Sequence, residues 1–205
     1  MSEKIQIVFI GGGDSFVSDE EFYDALRSWL YNPYKPERKR WRDEMALALC
    51  STHEVIVPAM PNKQNADYIA WSIWFEKIIP HLNDGDILMG HSLGGGFLLR
   101  YLTEYRLPVL ISQLHLVAPV VVGGESAALR EFSIDPSTWS GFLSSMSGVH
   151  LWHSMDDAFA PFTESLTFKE IYPTAELHTF TDRGHFLVPE FPEIIACIKE
   201  NTVRA

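Results

Sequence analysis

Ser92 stands in Gly90-His91-Ser92-Leu93-Gly94, a G-x-S-x-G pentapeptide. The apolar run Ile87-Leu88-Met89 precedes it and the helix-compatible run from Phe97 to Tyr101 follows. A strand that turns sharply into a helix lifts a serine hydroxyl clear of a sheet edge. It also puts free N–H groups and the positive end of a helix dipole just behind that hydroxyl. Glycine at positions 90 and 94 admits the close approach of strand and helix that such a turn demands. A serine hydroxyl is a weak nucleophile until a base takes its proton, and the base works best when a carboxylate orients it. In this arrangement the chain order is Ser, then Asp or Glu, then His. Of eight histidines, His185 in Thr181-Asp182-Arg183-Gly184-His185-Phe186 alone falls between the last strand and the last helix that the pattern predicts. Asp156 and Asp157 follow the fifth predicted strand, where either carboxylate could accept the His185 Nδ1 proton. Asp182 is the weaker competitor and better suits a turn before Arg183-Gly184.

An oxyanion needs two donors aimed at one point. The Leu93 N–H is the first expected donor. The loop Gly11-Gly12-Gly13 after the first strand supplies the second, and Gly13 is the residue assigned to it. The triplet is not a dinucleotide fingerprint, because G-x-G-x-x-G would need glycine where Phe16 stands. His150 and His153 lie an odd number of residues apart on a strand and so point to opposite faces, which argues against a metal between them. Cys50 and Cys197 are isolated in sequence, so neither a zinc site nor a disulfide framework is expected. No metal and no cofactor is expected.

The elements that must hold these groups follow a rhythm. Strands are predicted over Ile5–Ile10, Val55–Val57, Ile87–Met89, Leu114–Val117, Val149–Trp152 and Glu176–Phe180. Helices are predicted over Asp19–Leu30, Glu37–Cys50, Asp67–Ile79, after Ser92, Phe162–Ile171 and Pro192–Asn201. Such alternation implies an α/β chain with a parallel sheet covered by helices on both faces, and 205 residues suit a single domain. Residues 122–147 break the rhythm and read as a small cap, with a short helix capped by Asp135. Trp139 and Phe142 in that cap, with Trp71 and Trp74 on the aromatic helix, are the expected walls of a substrate pocket.

A net charge of −11 argues against a nucleic-acid or anionic-membrane partner. The one basic cluster, Lys35 to Arg42, reads as a solvated helix face. The first apolar run is too short for a signal peptide or a membrane span, so a cytoplasmic location is expected.

Across nearly the whole chain these pieces resemble compact α/β-hydrolases with a small or absent lid. They are most similar to the small serine hydrolases of the retinoblastoma-binding serine hydrolase family and its bacterial relatives. The resemblance rests on Gly90-His91-Ser92, on Asp156-Asp157 with Pro161 following, on Phe180 to Phe186, and on Met60-Pro61 ahead of Trp71 and Trp74. It implies a three-layer sandwich around a mainly parallel six-stranded sheet, with Ile5–Ile10 in the place of the third strand of larger relatives. It also implies a D-x-x-x-P turn, which Asp157-Ala158-Phe159-Ala160-Pro161 fits and Asp156 misses by one residue. The residues around Tyr31–Arg42 look like an insertion. No L-x-C-x-E peptide is present, so a retinoblastoma-type partner is not expected. The implied activity is hydrolysis of a small acyl ester, thioester or amide by Ser92, Asp157 and His185, on a small-molecule acyl substrate. The competing expectation is a binding protein on the same scaffold with an idle triad.

Overall fold

The structure is a computed structural model that describes residues 4–34, 36, 38–121, 129–133 and 146–202. Six strands are found among them: β1 (Ile5–Ile10), β2 (His53–Ile56), β3 (Ile87–His91), β4 (Gln113–Val117), β5 (Gly148–Ser154) and β6 (Glu176–Phe180). They form one sheet in the order β2-β1-β3-β4-β5-β6, and every neighbouring pair is parallel. Parallel neighbours need crossovers, and six α-helices supply or flank them: α1 (Asp19–Ser28), α2 (Trp41–Leu49), α3 (Tyr68–Glu76), α4 (Leu93–Glu104), α5 (Phe162–Ile171) and α6 (Pro192–Asn201).

The strands are apolar on both faces, so the sheet needs cover on both. Val8, Ile10, Leu88, Leu114, Leu116 and Leu151 face Trp71 and Phe75 of α3, Phe97 and Tyr101 of α4, and Phe168 of α5. The alternate residues Ile7, Phe9, Ile87, Met89 and Trp152 face Trp41, Met45 and Leu49 of α2 and Ile194 and Ile198 of α6. This is the three-layer α/β arrangement. Helix α1 has no buried residue and is held at its start by Ser18, whose hydroxyl accepts from the Glu21 N–H at 3.2 Å.

Strand β2 lies about two residues earlier than expected, and helices α2 and α3 depart from their expected bounds. Helix α2 starts at Trp41, four residues late, because burial starts there. The Trp41 ring stands edge-on to Phe9 and Phe191, and its Nε1–H donates to the Phe186 carbonyl at 3.0 Å. Residues 38–40 are consequently not helical, and the basic stretch is not a solvated helix face. Helix α3 stops at Glu76, and a 3-10 turn over Ile79–His81 accommodates Pro80, which lacks the N–H an α-helix would use. The expected cap helix at Asp135, with Trp139 and Phe142, lies outside the described residues. Of that segment a 3-10 turn over Leu129–Phe132 is described, and Phe132 is fully buried edge-on to Tyr68 and Trp71. No helix among the described residues is long and apolar enough to cross a membrane.

Candidate active site

The turn from β3 into α4 holds Ser92 at φ 55° and ψ −124°, a conformation that L-residues avoid. Its surroundings leave it no other. The Ser92 N–H donates to the Val117 carbonyl at 2.9 Å, and the Ser92 carbonyl accepts from the N–H groups of Gly95 at 2.9 Å and of Gly96 and Val120 at 3.3 Å. A Cβ on Gly94 would strike the Ile10 carbonyl, and one on Gly90 would come within 2.6 Å of the Gly95 Cα. Leu93 opens α4, so its N–H has no carbonyl one turn back within the helix to bond.

Beyond β6, Gly184 at φ 50° and Phe186 at φ 53° bend the chain back toward the serine end of the sheet. His185 between them brings its Nδ1 to 2.8 Å from Asp157 Oδ2. A carboxylate only accepts here, so Nδ1 carries the proton and Nε2 is left with a lone pair. The Asp157 side chain is wholly buried and the imidazole is 10% exposed. Asp157 Oδ1 accepts from the N–H groups of Phe159 at 2.8 Å and Ala160 at 3.0 Å, which fixes the carboxylate plane. His153 stands 3.6 Å behind Oδ2. It lies between the Ser165 hydroxyl at 2.5 Å and the Ala160 carbonyl at 2.9 Å, and burial holds it below the ordinary histidine range.

Asp156 does a different job. Its Oδ1 accepts from the Ser154 hydroxyl and, at 3.0 Å, from the Gly184 N–H, while Ser154 Oγ accepts from the Arg183 N–H at 3.1 Å. The Ser154 hydroxyl, with the Gly184 N–H, holds the Asp156 carboxyl below its usual range. The two adjacent aspartates thus grip the same loop, one by its backbone and one by the imidazole. His91 adds a third grip, since its Nε2–H donates to the His185 carbonyl at 2.9 Å. Burial, with the His185 ring 5.0 Å away, pushes His91 down to about 4.

Ser92, Leu93 and His185 open onto one cavity of about 930 Å³, together with Gly11, Gly12 and Gly13. The glycine loop is pressed against the serine: a Cβ on Gly12 would stand 2.9 Å from the Ser92 Cβ. It is held there by the 62–66 loop, through Asp14 N–H to the Lys63 carbonyl at 2.9 Å and Ala66 N–H to the Asp14 carbonyl at 2.7 Å.

No family model matches the chain. Serine hydrolase RBBP9 of Rattus norvegicus is 29% identical to it over 142 residues, 68% of this chain and 73% of that protein. The ydeN gene product of B. subtilis is similar in structure with a TM-score of 0.70 at 17% identity, covering 97% of this chain and 98% of its own. The chain has the α/β-hydrolase fold. Serine hydrolase CCSP0084 from Cycloclasticus zankles has a TM-score of 0.66 at 12% identity, over 97% of this chain and 89% of its own.

The fold gathers Ser92, Asp157, His185, Gly13 and Leu93 at one end of the sheet. It does not bring Trp71 or Trp74 into the cavity. Trp71 is fully buried, donates from Nε1 to the Pro61 carbonyl at 2.9 Å and packs edge-on to Phe97, so it braces the glycine loop from behind. Trp74 is 43% exposed and is not among the cavity's lining residues. A mid-helix aromatic is carried into a core by helical periodicity alone, and that reading should have been preferred for Trp71. Trp139 and Phe142 lie outside the described residues. The walls that sequence reasoning missed are Met60, Phe159, Leu187, Val188 and the basic stretch Arg38–Arg42. The available signal that it is not helical was the lack of any apolar residue between Pro36 and Trp41.

Proposed function

We propose that the protein is a serine hydrolase that cleaves a small acyl ester, or a related thioester or amide, through an acyl-enzyme. Ser92 Oγ attacks the carbonyl carbon while His185 Nε2 takes the hydroxyl proton, and Asp157 holds the Nδ1 tautomer and the imidazolium. The N–H groups of Leu93 and Gly13 receive the oxyanion. Collapse of the tetrahedral intermediate breaks the bond to the leaving group, which takes its proton from His185. Water then attacks the acyl-enzyme, with His185 as base, and frees the acid and Ser92. The observation that carries this reading is the buried Asp157–His185 pair at 2.8 Å, opening onto the same cavity as a serine on a strained turn. The choice of Gly13 is supported by its neighbour, because the next N–H along the loop, that of Asp14, is already taken by the Lys63 carbonyl.

The cavity also says something about substrate. Arg38, Lys39, Arg40 and Arg42 line it in a chain whose net charge is −11, so it concentrates positive charge where the rest of the molecule is acidic. An acyl or leaving group bearing a carboxylate fits that wall. The test pairs a fluorophosphonate probe with p-nitrophenyl esters of increasing chain length, and compares acetate with the hemisuccinate. Labelling of the chain and faster turnover of the hemisuccinate are expected. A folded protein that takes no probe and turns over no ester would favour a binding protein on this scaffold instead.

A further inference from the structure

The opposite end of β5 from Asp157 carries a second polar cluster that the hydrolytic reading does not use. His150 near the start of β5, His178 on the edge strand β6 and Cys197 on α6 point their ligating atoms at one place, all within 4.8 Å of one another. His150 Nδ1 lies 3.4 Å from His178 Nε2 and 3.5 Å from Cys197 Sγ. Glu176, at the start of β6, closes the group, with Oε2 at 3.3 Å from His150 Nδ1 and 3.7 Å from His178 Nε2. We propose that His150, His178 and Cys197 form a zinc site joining β5, β6 and α6, with Glu176 at its mouth beside the two imidazoles.

Two of the three separations match a shared zinc, and the third, between His178 and Cys197, lies within 4.8 Å, so the ion would draw those two side chains together. A tetrahedral zinc, with Zn–N of about 2.0–2.1 Å and Zn–S of about 2.3 Å, sets two nitrogens about 3.4 Å apart and nitrogen from sulfur about 3.6 Å apart. The two separations from His150 Nδ1, 3.4 Å to His178 Nε2 and 3.5 Å to Cys197 Sγ, have those values. Two imidazoles and a thiolate make a donor set of mixed softness that suits zinc. The rings are also held in place before any ion arrives. His150 stacks on His115 at 4.7 Å and 12°, and His178 stacks on Trp152 at 3.7 Å and 9°. His115 is itself fixed, accepting from Trp152 Nε1–H at 3.2 Å and donating from Nε2 to Gln113 Oε1 at 3.0 Å. Asn201 Nδ2 donates to Cys197 Sγ at 3.4 Å and so fixes the direction of the sulfur. Cys197 and His150 are buried and His178 is half-buried, which leaves an entry from the Glu176 side at the sheet edge.

Zinc here would cross-link the edge strand and the last helix to the sheet, so its readout is binding and stability, apart from ester turnover. The test uses the full chain with Cys50→Ser, stripped by chelator under reducing conditions, then dialysed against Zn²⁺ or Co²⁺ alone. About one metal per chain is expected, with a thiolate-to-cobalt charge-transfer band and a Zn²⁺-dependent rise in Tm. Cys197→Ala should abolish the band and weaken Zn²⁺ binding on the order of 100-fold or more. His178→Gln, at a half-exposed ring that folding tolerates, should likewise cut the affinity, and it stands in if Cys197→Ala does not fold. His185→Ala, at the other end of the sheet, should leave binding unchanged. Absence of metal from the stripped and reloaded chain overturns the proposal. So does a band that survives in Cys197→Ala, or affinity that falls in His185→Ala and not in His178→Gln.

Discussion

Strand β5 ends in two polar constellations that differ in how they are built. Past its carboxyl end, Ser154, Asp156 and Asp157 grip the loop that carries His185, beside a cavity and a serine in a strained conformation. Near its amino end, His150 sits in a stack with His115, Trp152 and His178, closed over by α6. The carboxyl end is made of loops, where a backbone can be bent to aim one proton-carrying ring at one hydroxyl. The amino end is made of strand and helix interiors, where side chains are locked by packing and open space is scarce. The first arrangement suits chemistry on a substrate that must enter and leave, and the second suits an ion that stays.

Replacing Ser92 should separate the two ends most sharply. Ser92→Ala should abolish fluorophosphonate labelling and lower ester turnover by roughly 10⁶-fold, as loss of a triad nucleophile does elsewhere. Metal binding at the amino end should be unchanged, since no bond of the Ser92 side chain reaches that cluster. Labelling that persists in Ser92→Ala would move the nucleophile elsewhere and end the proposed mechanism.

The two aspartates give the next effect. Asp157→Asn keeps the shape but offers an amide to His185 Nδ1, and the tautomer this selects is the wrong one, costing on the order of 10⁴ in turnover. Asp156→Asn keeps one oxygen to accept the Gly184 N–H, so turnover should drop only about tenfold through a looser His185 loop, the usual scale for lost outer support. Turnover measured on both variants checks the division of labour. An Asp156→Asn enzyme crippled as badly as Asp157→Asn would make the backbone grip as important as the imidazole grip.

How far each end could be read from sequence follows from the same contrast. Gly90 to Gly94 is a local pattern whose constraint, close approach at a sharp turn, is written in adjacent residues. The approximate positions of the six strands along the chain were also legible, most plainly for β1 and β3, which are nearly unbroken apolar runs. Asp157 against Asp156 was decided in sequence only through resemblance to other chains, since both leave the same strand. The amino-end cluster left no local trace: His150, His178 and Cys197 are separated by whole elements, and Cys197 looks isolated until α6 is laid on the sheet. Trp71 and Trp74 misled for the opposite reason. Aromatic residues in a helix near a site are conspicuous, and the core of this protein claims the first while the surface keeps the second.

The smallest expected effect tests how His91, His153 and His53 are kept neutral. Burial lowers all three below the ordinary histidine range, His91 to about 4. The sign follows from proton counting. Above about pH 6.5 neither the folded nor the unfolded chain protonates these rings, and they contribute no pH dependence. As the pH falls below that, the unfolded chain binds protons that the folded chain refuses, so stability falls until the folded-state values are reached, near 4 for His91. Each refused proton is worth up to about 1.4 kcal/mol per pH unit. Urea midpoints of the metal-stripped chain should therefore decline between pH 6.5 and 5, above the range where carboxylates begin to protonate. His91→Gln can still donate an N–H to the His185 carbonyl but cannot titrate, so its decline should be shallower by the share of one proton. An unchanged slope in His91→Gln would mean that the folded protein accepts a proton on His91 after all. The His91 contact with the His185 carbonyl would then be made by an imidazolium, and the loop carrying His185 would loosen with pH for a different reason.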